Sequence, residues 1–578
     1  MREKGIRLLA LLLVLLLLSG CAAEPPARLR QALAQESAAP AAEAPQETEA
    51  EAGEIPRFED IPYERPDLEA LQVCAEAVAA ALGRGAGLAE LEELIELFRE
   101  SYDHYSTMYA VAMIRSFQDS GDRYYAEEYA WCDSHSGQVQ RCMEQMYYDC
   151  GESALAEELE EQVFWPGFAQ AYSDRSQAVY SEELVALLDQ ESTLLSQYHQ
   201  LQAESEEALQ RSLSSPDGQN APYQALVEHY QRINGRMAEI YIGMVKVRQE
   251  MARLRGYDSY EAMVYDTDYD RDYNGAQVAA YDREVKTWLA PLYRQLVGMN
   301  RGYEEMGELS TRRLYRCLKS GAERMGGKIA DAFSFMTEHG LYDIREDPAK
   351  ADISFQTYLA DYEAPYLFIC PNGSLQDLCS FAHEFGHYVD AYVNGDDGKS
   401  VDVAEIYSLT MEYLMLSRVG GELAPEEREQ LTRLKLLDTL ELYVQQCSFN
   451  AFEQAVYAAD PDTLSAEWLN EQSLLLAMDY GYYDGVSEEY YAMSWSDINH
   501  FFEAPFYVVA YPLASDLALQ LYQRELEEEG AGLAGFLSLL DNCGDGLEET
   551  AALVGLEDPL AEGRVKRLSE LLSALLLP

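Results

Sequence analysis

Positive charge is scarce in this chain: 42 lysines and arginines stand against 102 aspartates and glutamates, for a net charge of −60 at pH 7. A folded body this acidic is a poor partner for nucleic acid or anionic lipid, whose phosphates demand cations. The surplus reads as a solubilising surface, although it could also draw cationic peptides. Apolar length is lacking as well, since the run at residues 8–18 is too short for an ordinary membrane-spanning helix. No internal repeat is evident. Aromatic residues are missing from 22 to about 55, where Ala, Glu, Pro and Gln prevail, so this stretch reads as a flexible stalk. Cysteines number 10, but Cys132, Cys142 and Cys150 lack the close spacing of a zinc knuckle. Cys370 and Cys379 read as small buried apolar residues. An oxidising compartment would permit disulfides, and the sequence names none.

Histidine is rarer still, with 8 in 578 residues. Against that scarcity stands His383-Glu384-Phe385-Gly386-His387, a pattern expected by accident in roughly one chain in a hundred of this kind. On a helix the spacing puts both imidazoles on one face, where they can hold a single zinc ion while Glu384 reaches a water on it. The surroundings fit a helix. Asn372-Gly373-Ser374 reads as a turn, Ser374 with Asp377 as a capping box, and Asn394-Gly395 as a stop. Leu375, Leu378, Ala382, Phe385 and Val389 recur between them at helical spacing.

A catalytic zinc site usually has three protein ligands, and no further histidine follows until His500. The segment 401–412 reads instead as a second helix carrying Glu405 and Glu412 two turns apart on a shared face. Glu405 is the expected third metal ligand, with Asp390, Asp402 and Glu412 as the other carboxylates within reach. Glu412 is expected behind the ligands, holding an imidazole N–H and fixing its tautomer. An acid in the first turn of a helix is also favoured simply by the helix dipole.

These residues resemble the oligoendopeptidase F and thimet oligopeptidase group of zinc metallopeptidases. The resemblance rests on the His-Glu-Phe-Gly-His string followed by Ala404-Glu405-Ile406-Tyr407-Ser408 and Glu412, and it extends along most of the chain after residue 58. It takes in 58–67, 248–257, 362–369 and 498–511. What it implies is a mainly α, two-lobed helical zincin with a deep substrate channel, a small β-sheet beside the catalytic helix and one zinc ion per chain. By position His500 and Tyr511 are implied as catalytic residues, Tyr511 as donor to the oxyanion, and Tyr507 as a substrate-binding neighbour. The pattern also departs from the family: Pro512 follows Tyr511 directly, where it should bend the backbone or end a helix, and Val508 and Val509 stand where another tyrosine is common.

At the N-terminus, Arg2, Lys4 and Arg7 precede the apolar run, and Leu18-Ser19-Gly20-Cys21 has the form of a lipobox. Lipidation of Cys21 would tether an extracytoplasmic lipoprotein to a bacterial membrane. The expected organisation is a signal peptide over 1–21, a linker over 22–57, an N-terminal helical domain over 58–195 and a catalytic domain over 196–578. Helical periodicity dominates, as at 67–82, 88–98, 181–212 and 223–254. The segments 353–359 and 365–370 read as a strand pair whose edge could hold an extended peptide. The expected activity is zinc-dependent hydrolysis of short oligopeptides with Glu384 as general base. The alternative is a catalytically inactive peptide-binding lipoprotein using the same groove.

Overall fold

A computed structural model describes residues 55–577, apart from 174–181, 214–221, 299–306, 396–398 and 545. Cys21, the apolar run and nearly all of the stalk lie outside the described residues.

Helix starts follow local chemistry. Asp67 accepts the Ala70 N–H, Asp122 the N–H groups of Tyr124 and Tyr125, Ser259 that of Ala262 and Ser465 that of Trp468. Each cap satisfies donors that a first turn leaves orphaned. The four expected helical patterns appear as Leu68–Gly83, Leu88–Gln118, Glu182–Leu213 and Pro222–Leu254. The second outruns its expected end by 20 residues because its packing partner changes along its length. Leu91, Ile95, Phe98 and Tyr105 join the core of the N-terminal bundle, whereas Met108, Val111 and Ile114 pack with residues of the sheet. The polar stretch 99–104 between these two faces interrupts a single readable stripe.

The sheet has three strands, β1 (Tyr342–Ile344), β2 (Phe355–Leu359) and β3 (Ala364–Ile369), in the order β1-β3-β2. β2 runs antiparallel to β3, with Phe355 opposite Phe368 and Leu359 opposite Ala364, as the strand pair read from the sequence requires. β1 pairs parallel to β3 and was not expected, since three residues are too few to carry a period. β3 is buried along its whole length, while β2 forms one edge with a partly exposed centre.

The largest core gathers around the motif helix, Asp377–Asn394, and the helix Val401–Arg418. Position 195 falls inside Glu182–Leu213, whose Leu184, Tyr198 and Leu201 belong to this core. Among the described residues no helix is long and apolar enough to cross a membrane. The molecule is thus mainly α, with a small sheet laid against the motif helix.

Candidate active site

The motif helix begins differently from the expected capping box. Ser374 does not cap with its hydroxyl; instead the Asp377 carboxylate reaches back to accept the N–H groups of Asn372 and Gly373, at 3.2 and 2.8 Å. A carboxylate in the first turn also meets the positive end of the helix dipole. The helix ends at Asn394, with Gly395 at φ +73°, as the Asn-Gly stop anticipates.

Midway along it, Gly386 meets the backbone of the second helix. A Cβ there would lie 2.6 Å from both the Ser408 Cα and the Tyr407 carbonyl oxygen, distances no side chain can hold. The missing side chain lets the two helices touch backbone to backbone. This contact carries Glu405, one turn before Ser408, up to the two imidazoles.

Donor atoms of His383, His387 and Glu405 lie within 4.8 Å of one another. Glu405 Oε2 is 3.6 Å from His383 Nε2 and 3.8 Å from His387 Nε2. Glu405 is wholly buried and both its oxygens are engaged: Ser408 Oγ donates to Oε2 at 2.9 Å and the Tyr507 hydroxyl to Oε1 at 3.2 Å. His387 Nε2 is buried and has no hydrogen-bond partner. A buried ring nitrogen without a partner, facing a carboxylate and a second imidazole, fits the donor set of a divalent cation of the zinc type.

Behind this set, Glu412 Oε1 lies 3.2 Å from His383 Nδ1, and Lys435 Nζ lies 2.6 Å from Glu412 Oε2. The chain Lys435–Glu412–His383 would fix the tautomer that leaves Nε2 free to ligate. Lys435 had no role in the sequence reading; its only signal is a lone cation between Leu434 and Leu436. The other carboxylates considered as ligands are engaged elsewhere. Asp390 pairs with Lys399 at 2.7 and 2.8 Å, and Asp402 pairs with Arg271 at 3.0 and 3.1 Å.

Electrostatics at the site favour an added cation. Burial opposes charge on His383, yet its hydrogen bond to Glu412 and the nearby Glu405 and Glu384 carboxylates carry its pKa up to about 9. Burial pushes Glu384 up to about 7 and raises Glu405. His387 is driven well below its ordinary value by burial and by the charges of His383 and Lys399. The Gln356 backbone also hydrogen-bonds to Glu384, so the outer edge of β2 borders the motif.

The opposite wall carries His500 on Asn499–Glu503, Tyr507 in a 3-10 turn and Tyr511 in the first turn of Ala510–Glu527. Their rings form a triangle with centroids 5.3 to 6.0 Å apart. The Tyr511 hydroxyl lies 3.5 Å from His500 Nε2, and burial lowers the imidazole to about 4, so it stands neutral and, in its Nε2–H tautomer, donates to the phenol oxygen. Pro512 neither bends nor ends a helix, contrary to expectation. It is the third residue of Ala510–Glu527, where a missing N–H goes unused.

Cys379 is buried as expected, whereas Cys370 is only partly so. Among the described residues, none of the nine cysteines is joined in a disulfide.

A mainly helical fold that sets a His-His-Glu group, with His387 and Glu405 buried and His383 partly so, beside a further carboxylate has the arrangement of the metallopeptidase class. Residues 58–175 match the peptidase M3 N-terminal domain and residues 326–540 match peptidase family M3. The chain belongs to peptidase family M3. It is 23% identical over 347 residues to the oligopeptidase PepF of Bacillus subtilis, covering 55% of this chain and 50% of that protein. It is likewise 23% identical over 331 residues to the chromosomal oligoendopeptidase F of Lactococcus lactis, covering 50% of this chain and 52% of the relative. The chain thus spans about half the length of the curated relatives it matches. Its fold matches that of PZ peptidase A solved with an inhibitor, with a TM-score of 0.78 at 22% identity over 90% of this chain and 99% of that one.

Proposed function

We propose that this chain is a zinc-dependent endopeptidase that hydrolyses peptide bonds in short oligopeptides, with His383, His387 and Glu405 holding the ion. The observation that carries this reading is the meeting of a largely buried His-His-Glu set, in which His387 Nε2 has no partner, with Glu384 and the outer edge of β2 in one place. When bound, zinc supplies Lewis acidity at the scissile carbonyl and makes water a better nucleophile. The β2 edge aligns an extended peptide through main-chain hydrogen bonds. Glu384 takes the proton of the attacking water and returns it to the departing amine nitrogen. Tyr511, oriented by a neutral His500 whose Nε2–H donates to the phenol oxygen, gives its own hydroxyl hydrogen to the carbonyl oxygen as charge develops there. Tyr507 is already spent on Glu405, so it serves the ligand first and the substrate by neighbourhood.

The reading extends to place. Lipidation at Cys21 would hold the enzyme on the outer face of a bacterial membrane, a proposal supported by residues 1–21 alone. A catalytically inactive peptide binder is not favoured, since the general base and all three donors are retained together.

The test is cleavage of a quenched-fluorescent oligopeptide library by the chain lacking residues 1–21, with chelator and with zinc restored. Cleavage that the chelator stops and zinc revives is the expected result. Zinc bound at one equivalent with no cleavage of any peptide would overturn the peptidase reading.

A further inference from the structure

Phe506, immediately before Tyr507, has φ +64° and ψ 8°, a left-handed backbone that a bulky side chain rarely adopts. Three residues distant in sequence secure it. Its N–H donates to both oxygens of the wholly buried Glu453, at 2.9 and 3.0 Å. Its carbonyl accepts from Arg271 Nη1 at 2.9 Å, and the carbonyl of Pro505 accepts from the Tyr269 hydroxyl at 2.8 Å. The remaining guanidinium nitrogens of Arg271 take both oxygens of Asp402, one turn before Glu405. One buried cation therefore ties the helix that carries Glu405 to the turn that carries Tyr507. Such strain persists only where its surroundings over-determine it, and it clusters where geometry serves function.

We propose that Arg271 and Glu453 are positioning residues: they lock Phe506 in its left-handed conformation and so fix the hydroxyls of Tyr507 and Tyr511 against the reacting groups. The fork of Arg271 sets the spacing between the two walls of the site, and Glu453 sets the direction in which the chain leaves the turn. The proposal rests on the peptidase reading for its kinetic consequence, but not for its structural one.

The experiment introduces Glu453→Gln, and separately Arg271→Lys, into the chain lacking residues 1–21, each also in a Tyr507→Phe, Tyr511→Phe background. Thermal unfolding selects the variants that fold. Amide exchange over 504–511 should quicken at least tenfold in the folded variants, with the motif helix unchanged. On a cleaved peptide kcat should fall about tenfold with KM within twofold, and in the double-phenylalanine background the same substitution should change kcat less than twofold. A general loosening of the fold would give the same loss in both backgrounds, and that result overturns the proposal. Unchanged exchange over 504–511 overturns it as well. Should the parent chain bind zinc yet cleave nothing, the peptidase reading fails by itself, and the exchange measurement alone decides whether the clamp exists.

Discussion

On one wall of the site His383, His387 and Glu405 project from the middle and the opening turns of two long helices in backbone contact, whereas on the other His500 and Tyr507 ride on short turns and Tyr511 on the turn that opens Ala510–Glu527. The first wall is regular because its spacing is helical and its one tight contact needs only a glycine. The second has no such period. Its backbone is fixed by side chains from far along the chain: Arg248 donates to the carbonyl oxygens of Phe501, at 3.1 Å, and of Phe502, while Arg271 and Glu453 hold Phe506. Donors that must surround an ion are placed by secondary structure, and donors that must meet a developing charge are placed by tertiary ties.

The sharpest way to probe the first wall is chemical. Glu384→Gln should lower peptide cleavage by about a thousandfold, within the range of lost general-base catalysis, while leaving one zinc bound per chain in metal analysis. Retained turnover would remove Glu384 from its role. The helix contact comes next. Gly386→Ala should destabilise the fold by about 3 kcal/mol and weaken the hold on zinc, read by thermal unfolding and by competition with a chelator. If the zinc affinity stayed at the parental value, the backbone contact would not be what places Glu405.

Lys435→Met leaves Glu412 buried without its cation. Zinc affinity should fall by about ten- to a hundredfold, with a smaller loss on Lys435→Arg, measured by the same competition. Tyr507→Phe removes one of the two hydroxyls that hold Glu405. It should weaken zinc by about tenfold or less, and a larger fall would move the tyrosine from the second wall to the first in function. The smallest effect is expected far from both walls: Asp67→Ala removes a helix cap and should cost about 1 kcal/mol of stability with kcat unchanged.

The same contrast explains how much could be read from residues alone. The motif helix, its glycine stop, Glu405 and the place of Glu412 behind His383 follow from periods of 3.6 and from residue chemistry, all local information. The strand pair followed from β-branched and aromatic content. Lys435, Arg271 and Glu453 were missed because a buried charge looks like any other charge until its partner, here 23 to 131 residues away, is brought beside it. Pro512 was misjudged for a related reason, because a proline that ends one helix and a proline that opens the next have the same local surroundings.

The helix Leu88–Gln118 has one face fixed in the N-terminal bundle and, further along, another fixed against β2 and β3. Inserting or deleting one residue between Tyr105 and Met108 would swing these faces apart by about 100°. Relatives of this chain should therefore keep the length of that stretch, with the spacing between bundle and sheet acting as a ruler that an insertion or deletion would break.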